Sequence, residues 1–559
     1  MPPFPSHASC PPSTCRPLPI CPLYSLRHFD APPDCYNLPI VSEFATLEER
    51  HLARAAGIVM AGFVLSNLTG LAKWVLVSNA FGTTAVLDAF NDANRLPDLL
   101  FSVMAGGALA SAFVPTFTSY LTKGDREGGW RLASAIANLV FLSMTFAAAL
   151  AWLAAPWLVG HILAPGFDPQ YVQLTVSLMR ILLISAVIFG VSGLLMGILN
   201  AHQHFLLPAL APTFLWLGWI IGVLFLVPRW GIHGLAWGVV LGAAMHLAVQ
   251  LPGLRGYQPR FHFRLGLKDA MVRQVARLMA PRVVGTAFVQ LNFVVNVALA
   301  STMAVGSLAA INYAFFIMLM PQAIIAQAIA IAALPTFSAQ VARGDLTKMR
   351  ATLATTLRAA FFLSLPATVG LILLRKPIVA MLFQRGEFSA HSTDLVAWAL
   401  LWYTAGLVSH SLVEIASRAF YALKDTRTPV TIGVVAMAMN VGLSFGLASL
   451  FQGWGLAPHG GLALANSLAT TGEALALLWV IRRRLGGLDF GRVRRGLFTT
   501  VVASLAMTGV LAAWLAWGAG GSVWILGLGG VVVGGGIFWG IALGLGAPEA
   551  RTLPGIVLH

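Results

Sequence analysis

The chain has 559 residues, 58% of them hydrophobic and 10% charged, with a formal charge of +15 and a mean hydropathy of +0.80. A soluble domain carries about 25% charged residues, so this composition excludes a water-soluble globular protein. The 35 Lys and Arg residues are dispersed among short loops, which argues against a single nucleic-acid-binding surface.

Residues 1–50 stand apart from the rest. They are rich in proline and hold all four cysteines, Cys10, Cys15, Cys21 and Cys35, without the paired C-x-x-C spacing of a zinc site. No uninterrupted apolar core follows a positive start, so the segment does not read as a signal peptide. It reads as a disordered cytoplasmic tail, or as an extension upstream of the true start. With no cysteine after position 35, the remainder needs no disulfide.

About fourteen apolar runs of roughly 20 residues follow, the length that crosses a bilayer as a helix. They lie near 55–80, 97–121, 132–155, 172–198, 206–227, 232–252, 280–301, 308–337, 353–373, 395–417, 428–451, 460–481, 497–518 and 523–545. Helices satisfy their own backbone groups in lipid. The expected fold is therefore an all-α polytopic membrane protein.

Basic residues fall after spans two, six, eight, ten and twelve: Lys123, Arg126 and Arg131; Arg255 to Arg277; Arg343, Lys348 and Arg350; Arg418, Lys424 and Arg427; Arg482 to Arg495. The intervening loops are poor in Lys and Arg, with Arg375, Lys376 and Arg385 as exceptions. By the positive-inside rule both termini face the cytoplasm.

The sequence also repeats. PTFTSYLTKGD at 115–125 returns as PTFSAQVARGD at 335–345, an offset of 220 residues, and Pro208 and Pro429 close related segments at an offset of 221. A repeat of six spans returns the chain to the same side, so two parallel six-helix halves are expected, an organisation that transporters use to rock two bundles about a central site. The expected layout is a tail at 1–50, a first lobe at 51–254 and a basic linker at 255–279. A second lobe at 280–485 and a final helix pair at 486–559 complete it.

Charges inside spans are costly unless they face water or a partner. Lys73 lies well inside the first span, where its alternatives are a functional cation or snorkelling to the interface. Arg180 could serve in the same way or anchor near the outer headgroups. Glu414 and Glu473 are helix-packing partners or coupling carboxylates. Gln290, Asn292 and Asn296 form a polar stripe on the seventh span, a pattern that most often binds neighbouring helices. Asp88, Asp92, Arg95 and Asp98 precede the small-residue run GGALASA, which lets helices approach closely. Asp92, Arg95 and Asp98 read as decoration of a water-exposed external turn.

SNLTGLAKWVLVSNAFG, LDAF, NRLPDLL and GGALASAFVP resemble the opening of the MurJ (MviN) lipid II flippases, within the multidrug/oligosaccharidyl-lipid/polysaccharide exporter superfamily. LNAHQHFLLPALAP, LFQRGEFSAHST, RAFYALKDTRTPV and GLALANSLATTGEALALLWVIRRRLG extend the likeness from about residue 55 to 545. The resemblance implies two six-helix lobes around a hydrated cavity, and a final helix pair forming a groove for a lipid tail. It also implies that Asp88 matters for function through the DAF motif. Lys73 falls where the family usually has a cavity arginine, and Arg180 where it often has a basic residue. The chain departs from the family at Asn67, Phe101 and Phe316, where arginines are usual, so the expected substrate site is Lys73, Asp88, Asn67, Arg180, Gln290, Asn292 and Asn296. A dianionic pyrophosphate normally calls for several cations. Either Lys73 suffices with groups such as Arg277 or Arg282, or the substrate has changed.

No enzymatic constellation, metal motif or cofactor fingerprint appears. His202 and His204 are two apart and point to different helix faces; His233 and His459 suit loop packing. The expected activity is alternating-access flipping of a polyprenyl pyrophosphate saccharide in the bacterial inner membrane. Other readings are export of another lipid-linked glycan or a small cation, and a membrane scaffold that recruits cell-wall synthesis proteins.

Overall fold

The structure, a computed structural model, describes residues 39–104, 108–488, 490–518 and 521–551. The four cysteines and the start of the GGALASA run lie outside these residues. The chain divides into two units at Met60. In the first, residues 39–60 are the opening turns of the first helix; the rest of the fold belongs to the second.

Nineteen α-helices occur among the described residues. The first half contains α1 (Pro39–Phe81), α2 (Ala85–Ala93), α3 (Arg95–Met104), α4 (Ala108–Thr122) and α5 (Arg126–Leu158). It continues through α6 (Pro169–Ala201), α7 (Leu206–Ile221), α8 (Val227–Trp230) and α9 (Ile232–Ala248). The second half contains α10 (Ala270–Ser301), α11 (Ser307–Gln322), α12 (Ala328–Ala342), α13 (Leu346–Phe383) and α14 (Ala390–Thr404). It ends with α15 (Leu407–Ala422), α16 (Arg427–Gly453) and α17 (His459–Arg484), before the final pair α18 (Phe490–Trp517) and α19 (Gly530–Gly544).

The described residues carry part of the expected count of fourteen spans. Eleven of these segments are long and apolar enough to cross a membrane, and twelve if α14 and α15, bent by 46°, count as one. The other two expected spans do fall on helices. One includes residues 105–107, which lie outside the described set, and the other falls on α10, which carries Arg273, Arg277 and Gln290. The linker also ends earlier than expected, because α10 begins at Ala270, where Asp269 caps it by accepting from the Met271 N–H at 2.9 Å. Upstream, Asn138 on α5 holds the linker by donating to the carbonyls of His262 and Arg264.

Related turns have related geometry. Asp125 caps α5 by accepting from Gly128 N–H at 2.8 Å, and Asp345 caps α13 by accepting from Lys348 N–H at 3.0 Å. The preceding Gly124 and Gly344 have φ of 74° and 71°. Gln203 and Lys424, which end the turns before Pro208 and Pro429, are both left-handed, at φ 58° and 59°.

Close approach by small residues joins α7 to α9. A Cβ on Gly222 would stand 2.5 Å from the Gly238 Cα, so only glycine permits this backbone contact. In the final pair, Arg358 of α13 forms a largely buried ion pair with Glu549 beyond α19. The exceptional basic residues of the arginine-poor end are tied locally: Lys376 pairs with Asp394 at 2.6 Å, and Arg375 and Arg385 donate to the carbonyls of Ile372 and Met381.

The apolar core is asymmetric. At the arginine-poor end one cluster joins both halves, running from Val77, Leu87, Leu182 and Leu235 to Leu308, Tyr313, Phe383 and Leu400. At the basic end there are two clusters. One packs Phe113, Phe117 and Trp130 with Val272 and Val275 of α10; the other packs Phe337, Leu353 and Phe420 with Leu477. At the basic end the first half's cluster takes in Val272 and Val275 at the start of α10, while α12, α13, α15 and α17 form a cluster of their own.

Candidate functional site

Lys73 projects from α1 into the interior and is 3% exposed. Its ammonium lies 3.5 Å from the ring centroid of Trp74, 4.8 Å from that of Trp216 and 4.6 Å from that of Trp219. Three tryptophan faces thus stand in for water around a buried cation. The rings are themselves held: Trp216 Nε1 donates to Ser66 Oγ at 3.2 Å, and Trp219 meets Phe90 edge-on at 5.6 Å. Trp74 packs against Tyr313 and Phe316 of α11, at 5.1 and 5.5 Å. The cage therefore reaches across both halves, and snorkelling does not describe Lys73.

The carboxylate within its electrostatic range is Asp98, which also lies within range of Arg95. Protein surrounds Asp98 at longer range, yet its own surface remains open to water, as for a side chain lining a hydrated internal space. Asn94 Nδ2 donates to its Oδ2 at 2.8 Å. The Arg95 guanidinium stands 4.5 Å from the Phe293 centroid on α10, and Tyr403 of α14 lies within its electrostatic range. Of the three residues read as decorating a water-exposed turn, Asp98 is exposed and Arg95 half-buried, while Asp92 is sealed from water. Arg95 and Lys73 both lie within electrostatic range of Asp98. Asp92 lies in the last turn of α2, whereas Arg95 and Asp98 lie three residues apart on the first turn of α3 and share its face. The tryptophans left no signal in the sequence.

Asp88 performs a different task. It is 4% exposed, and its Oδ2 accepts from the Gly306 N–H at 2.6 Å while Oδ1 accepts from the Ala309 N–H at 2.7 Å. A first-half carboxylate thus caps the start of α11 in the second half, where orphan N–H groups and the helix dipole favour negative charge. Thr83 Oγ1 donates to Ser392 Oγ at 2.8 Å, and Glu387 N–H to the Asn79 carbonyl at 3.0 Å. These bonds close the seam between the halves at the arginine-poor end.

Gly306 has φ 86°, and a Cβ there would collide with the Thr83 carbonyl. Left-handed backbone costs a residue with a Cβ about 1–2 kcal/mol before any clash. Gly306→Ala is expected to lower the unfolding midpoint of the purified protein and to open the seam. An unchanged melt would show that the seam contributes nothing to stability.

The other expected site residues lie elsewhere. Asn67 is exposed and its Nδ2 donates to the Phe63 carbonyl of its own helix at 2.8 Å. Arg180 turns to α5, with its guanidinium 4.3 Å from the Trp152 centroid and Nε donating to the Trp152 carbonyl. Asn296 donates to Asn292 at 3.5 Å and accepts from Ser444 of α16 at 3.1 Å, so the amide stripe joins helices. Gln290 is half-buried on the same helix. Arg277 is exposed at the basic end, and the Arg282 side chain lies outside the described set. Phe101 stacks on Phe189 at 4.9 Å. Glu414 pairs with Arg418 at 2.6 Å; Glu473 is half-buried on α17. His233 meets Ser177 Oγ at 3.0 Å and His459 the Leu395 carbonyl at 3.1 Å, both packing roles. His202 lies against Phe117, Trp130 and Tyr257. Among the described residues no group of His, Cys, Asp and Glu could hold a metal.

A family profile described as lipid II flippase MurJ matches residues 77–527. The chain belongs to the MurJ family. The lipid II flippase MurJ of Burkholderia cenocepacia is 30% identical over 440 residues, covering 76% of this chain and 83% of that protein. The probable lipid II flippase MurJ of Vibrio cholerae is 30% identical over 504 residues, covering 85% and 93%. A solved lipid II flippase MurJ in an inward closed conformation superposes with a TM-score of 0.75 at 23% identity, covering 89% of this chain and 99% of that one. An inward-facing MATE family multidrug transporter superposes at 0.64 with 18% identity, covering 75% and 94%. The fold is that of MurJ and MATE transporters, and this MurJ family member is a multi-pass inner-membrane protein.

Proposed function

We propose that the chain flips lipid II, a lipid-linked saccharide, across the membrane by alternating access. The single observation that carries this reading, beyond family membership, is a buried ammonium caged by three tryptophans within electrostatic range of the water-accessible Asp98 carboxylate. The basic loops face the cytoplasm, as do both termini. The seam at Asp88 then closes the outer side, and at the basic end the cluster formed by α12, α13, α15 and α17 parts from the first half towards the cytoplasm. Lys73 is the cation for the diphosphate, and Asp98 holds its place until substrate arrives. Because the three rings seal the Lys73 ammonium from bulk water, its attraction for an anion is stronger than it would be in water. The cycle is noncovalent, a shift between two states, not an enzymatic reaction. Release at the outer face delivers the product to cell-wall synthesis proteins.

One observation favours a second reading. Two positions where the family usually has arginine hold Phe101, stacked on Phe189, and Phe316, packed against Trp74. Aromatic walls in place of guanidinium groups suit a lipid-linked glycan with less negative charge.

Two measurements test these proposals. In cells depleted of their own lipid II flippase, expression of this chain is expected to restore growth; failure at normal membrane abundance would favour the second reading. In the same cells, with the native cysteines removed, a cysteine at Thr84 is expected to react with an impermeant reagent, while cysteines at Lys123 and Arg264 resist it. The reverse pattern would invert the topology.

A further inference from the structure

Asp92 is the described carboxylate that the mechanism above leaves unused. It is 0% exposed, and neither oxygen has a hydrogen-bond donor among the described residues. It lies four residues after Asp88, one helical turn further along α2. Apolar groups that join the two halves surround this turn: Leu87 and Phe90 on α2, and Leu308 and Tyr313 on α11.

The charged groups in electrostatic range of Asp92 are Asp88 on its own helix and Arg95 at the start of the next. Asp98 of α3 is occupied with Asn94 and Lys73. Tyr313 of α11 interacts with Asp88 rather than with Asp92. On the remaining elements packed against α2, Arg180 of α6 turns to Trp152, and Tyr171 at the start of α6 is not an electrostatic partner of Asp92. On α9, His233 meets Ser177 and His246 meets Ser192. No cation or donor therefore compensates a full negative charge on Asp92, whereas Asp98 has both Arg95 and Lys73 within electrostatic range. Arg95 is itself shared, and Asp88 opposes it.

A carboxylate sealed from water without donors is far costlier than the neutral acid. We infer that Asp92 is a proton-binding site of the closed seam, and that its proton stabilises the arrangement in which Asp88 caps α11. When the halves part at the arginine-poor end, water reaches Asp92, the O–H bond breaks, and the proton leaves to that water. The carboxylate is then hydrated beside Arg95. Reclosing requires a proton to return. The closed state thus binds one more proton than the open state, so acid favours closure and alkali favours opening, by up to tenfold in the population ratio per pH unit. The inference does not depend on which saccharide is carried.

The test uses the full-length protein in lipid nanodiscs, without native cysteines and with spin labels at Asp168 and Val305, which flank the seam. Between about pH 5.5 and about pH 8.5 the closed-to-open ratio is expected to fall at least tenfold. Asp92→Asn, which keeps the shape but cannot ionise, is expected to stay closed and insensitive to pH. Asp92→Leu serves as the second non-ionising variant should the first not fold. Difference infrared spectra are expected to show a protonated-carboxyl stretch in the parent protein that both variants lack. A parent ratio that does not change with pH would overturn the inference. So would an unchanged pH response in either variant, since the titrating group would then be another.

Discussion

Lys73→Ala is expected to reduce flipping by roughly 10- to 100-fold while membrane abundance stays near normal, the loss of a charge-assisted contact worth about 1.5–3 kcal/mol. The variant removes the ammonium that three tryptophans surround within electrostatic range of Asp98. Asp98 keeps Arg95 as its remaining cation, and its own surface is open to water, so folding should survive. Lys73→Arg is expected to retain substantial transport, since a guanidinium also stacks on aromatic faces. Phe316→Arg is diagnostic because Phe316 packs on Trp74, which covers Lys73. If it improves lipid II transport, the cage is a weakened diphosphate site. If it abolishes native transport while leaving lipid II unmoved, the substrate is less anionic. Full flipping by Lys73→Ala in a quantified proteoliposome assay would remove Lys73 from the substrate site.

Asp88→Asn is expected to shift the seam towards the open state by roughly 10- to 100-fold and to impair transport. The carboxylate accepts one N–H on each oxygen, from Gly306 and Ala309. An amide offers one acceptor and turns an NH2 group towards the other donor. Hydrogen bonds to charged groups contribute about 1.5–3 kcal/mol, and a buried N–H left facing another donor adds to the loss. The distance between labels at Asp168 and Val305 reads the seam directly. An unaltered distance distribution with impaired transport would move Asp88 from the seam to the substrate. An unaltered distribution with normal transport would remove it from both roles.

The tertiary arrangement separates residues that look alike in sequence. Lys73 and Arg180 are both lone cations within apolar runs, and both resemble family positions. In the structure one is caged in the interior while the other lies over Trp152 on the first half's own surface. Asn67 and Asn296 are likewise both amides within spans, yet the first bonds its own helix and the second a neighbour.

The sequence by itself determined the membrane class, the helical secondary structure and the six-span repeat. Apolar length and backbone self-satisfaction depend on composition along one helix, and turns such as TKGD and ARGD carry their own capping aspartate and left-handed glycine. It also determined that a charge at position 73 needed a partner. Only the tertiary structure decided what meets it: Trp216 and Trp219, more than a hundred residues away in the chain, with Asp98, from a cluster that reads equally well as a surface turn, within electrostatic range. Likewise, only the meeting of α2 with α11 gave Asp88 the N–H groups of Gly306 and Ala309. The physical reason is that burying a charge has a cost visible in one segment, whereas compensation depends on which helix faces meet, and periodicity within a single helix carries no record of its neighbour.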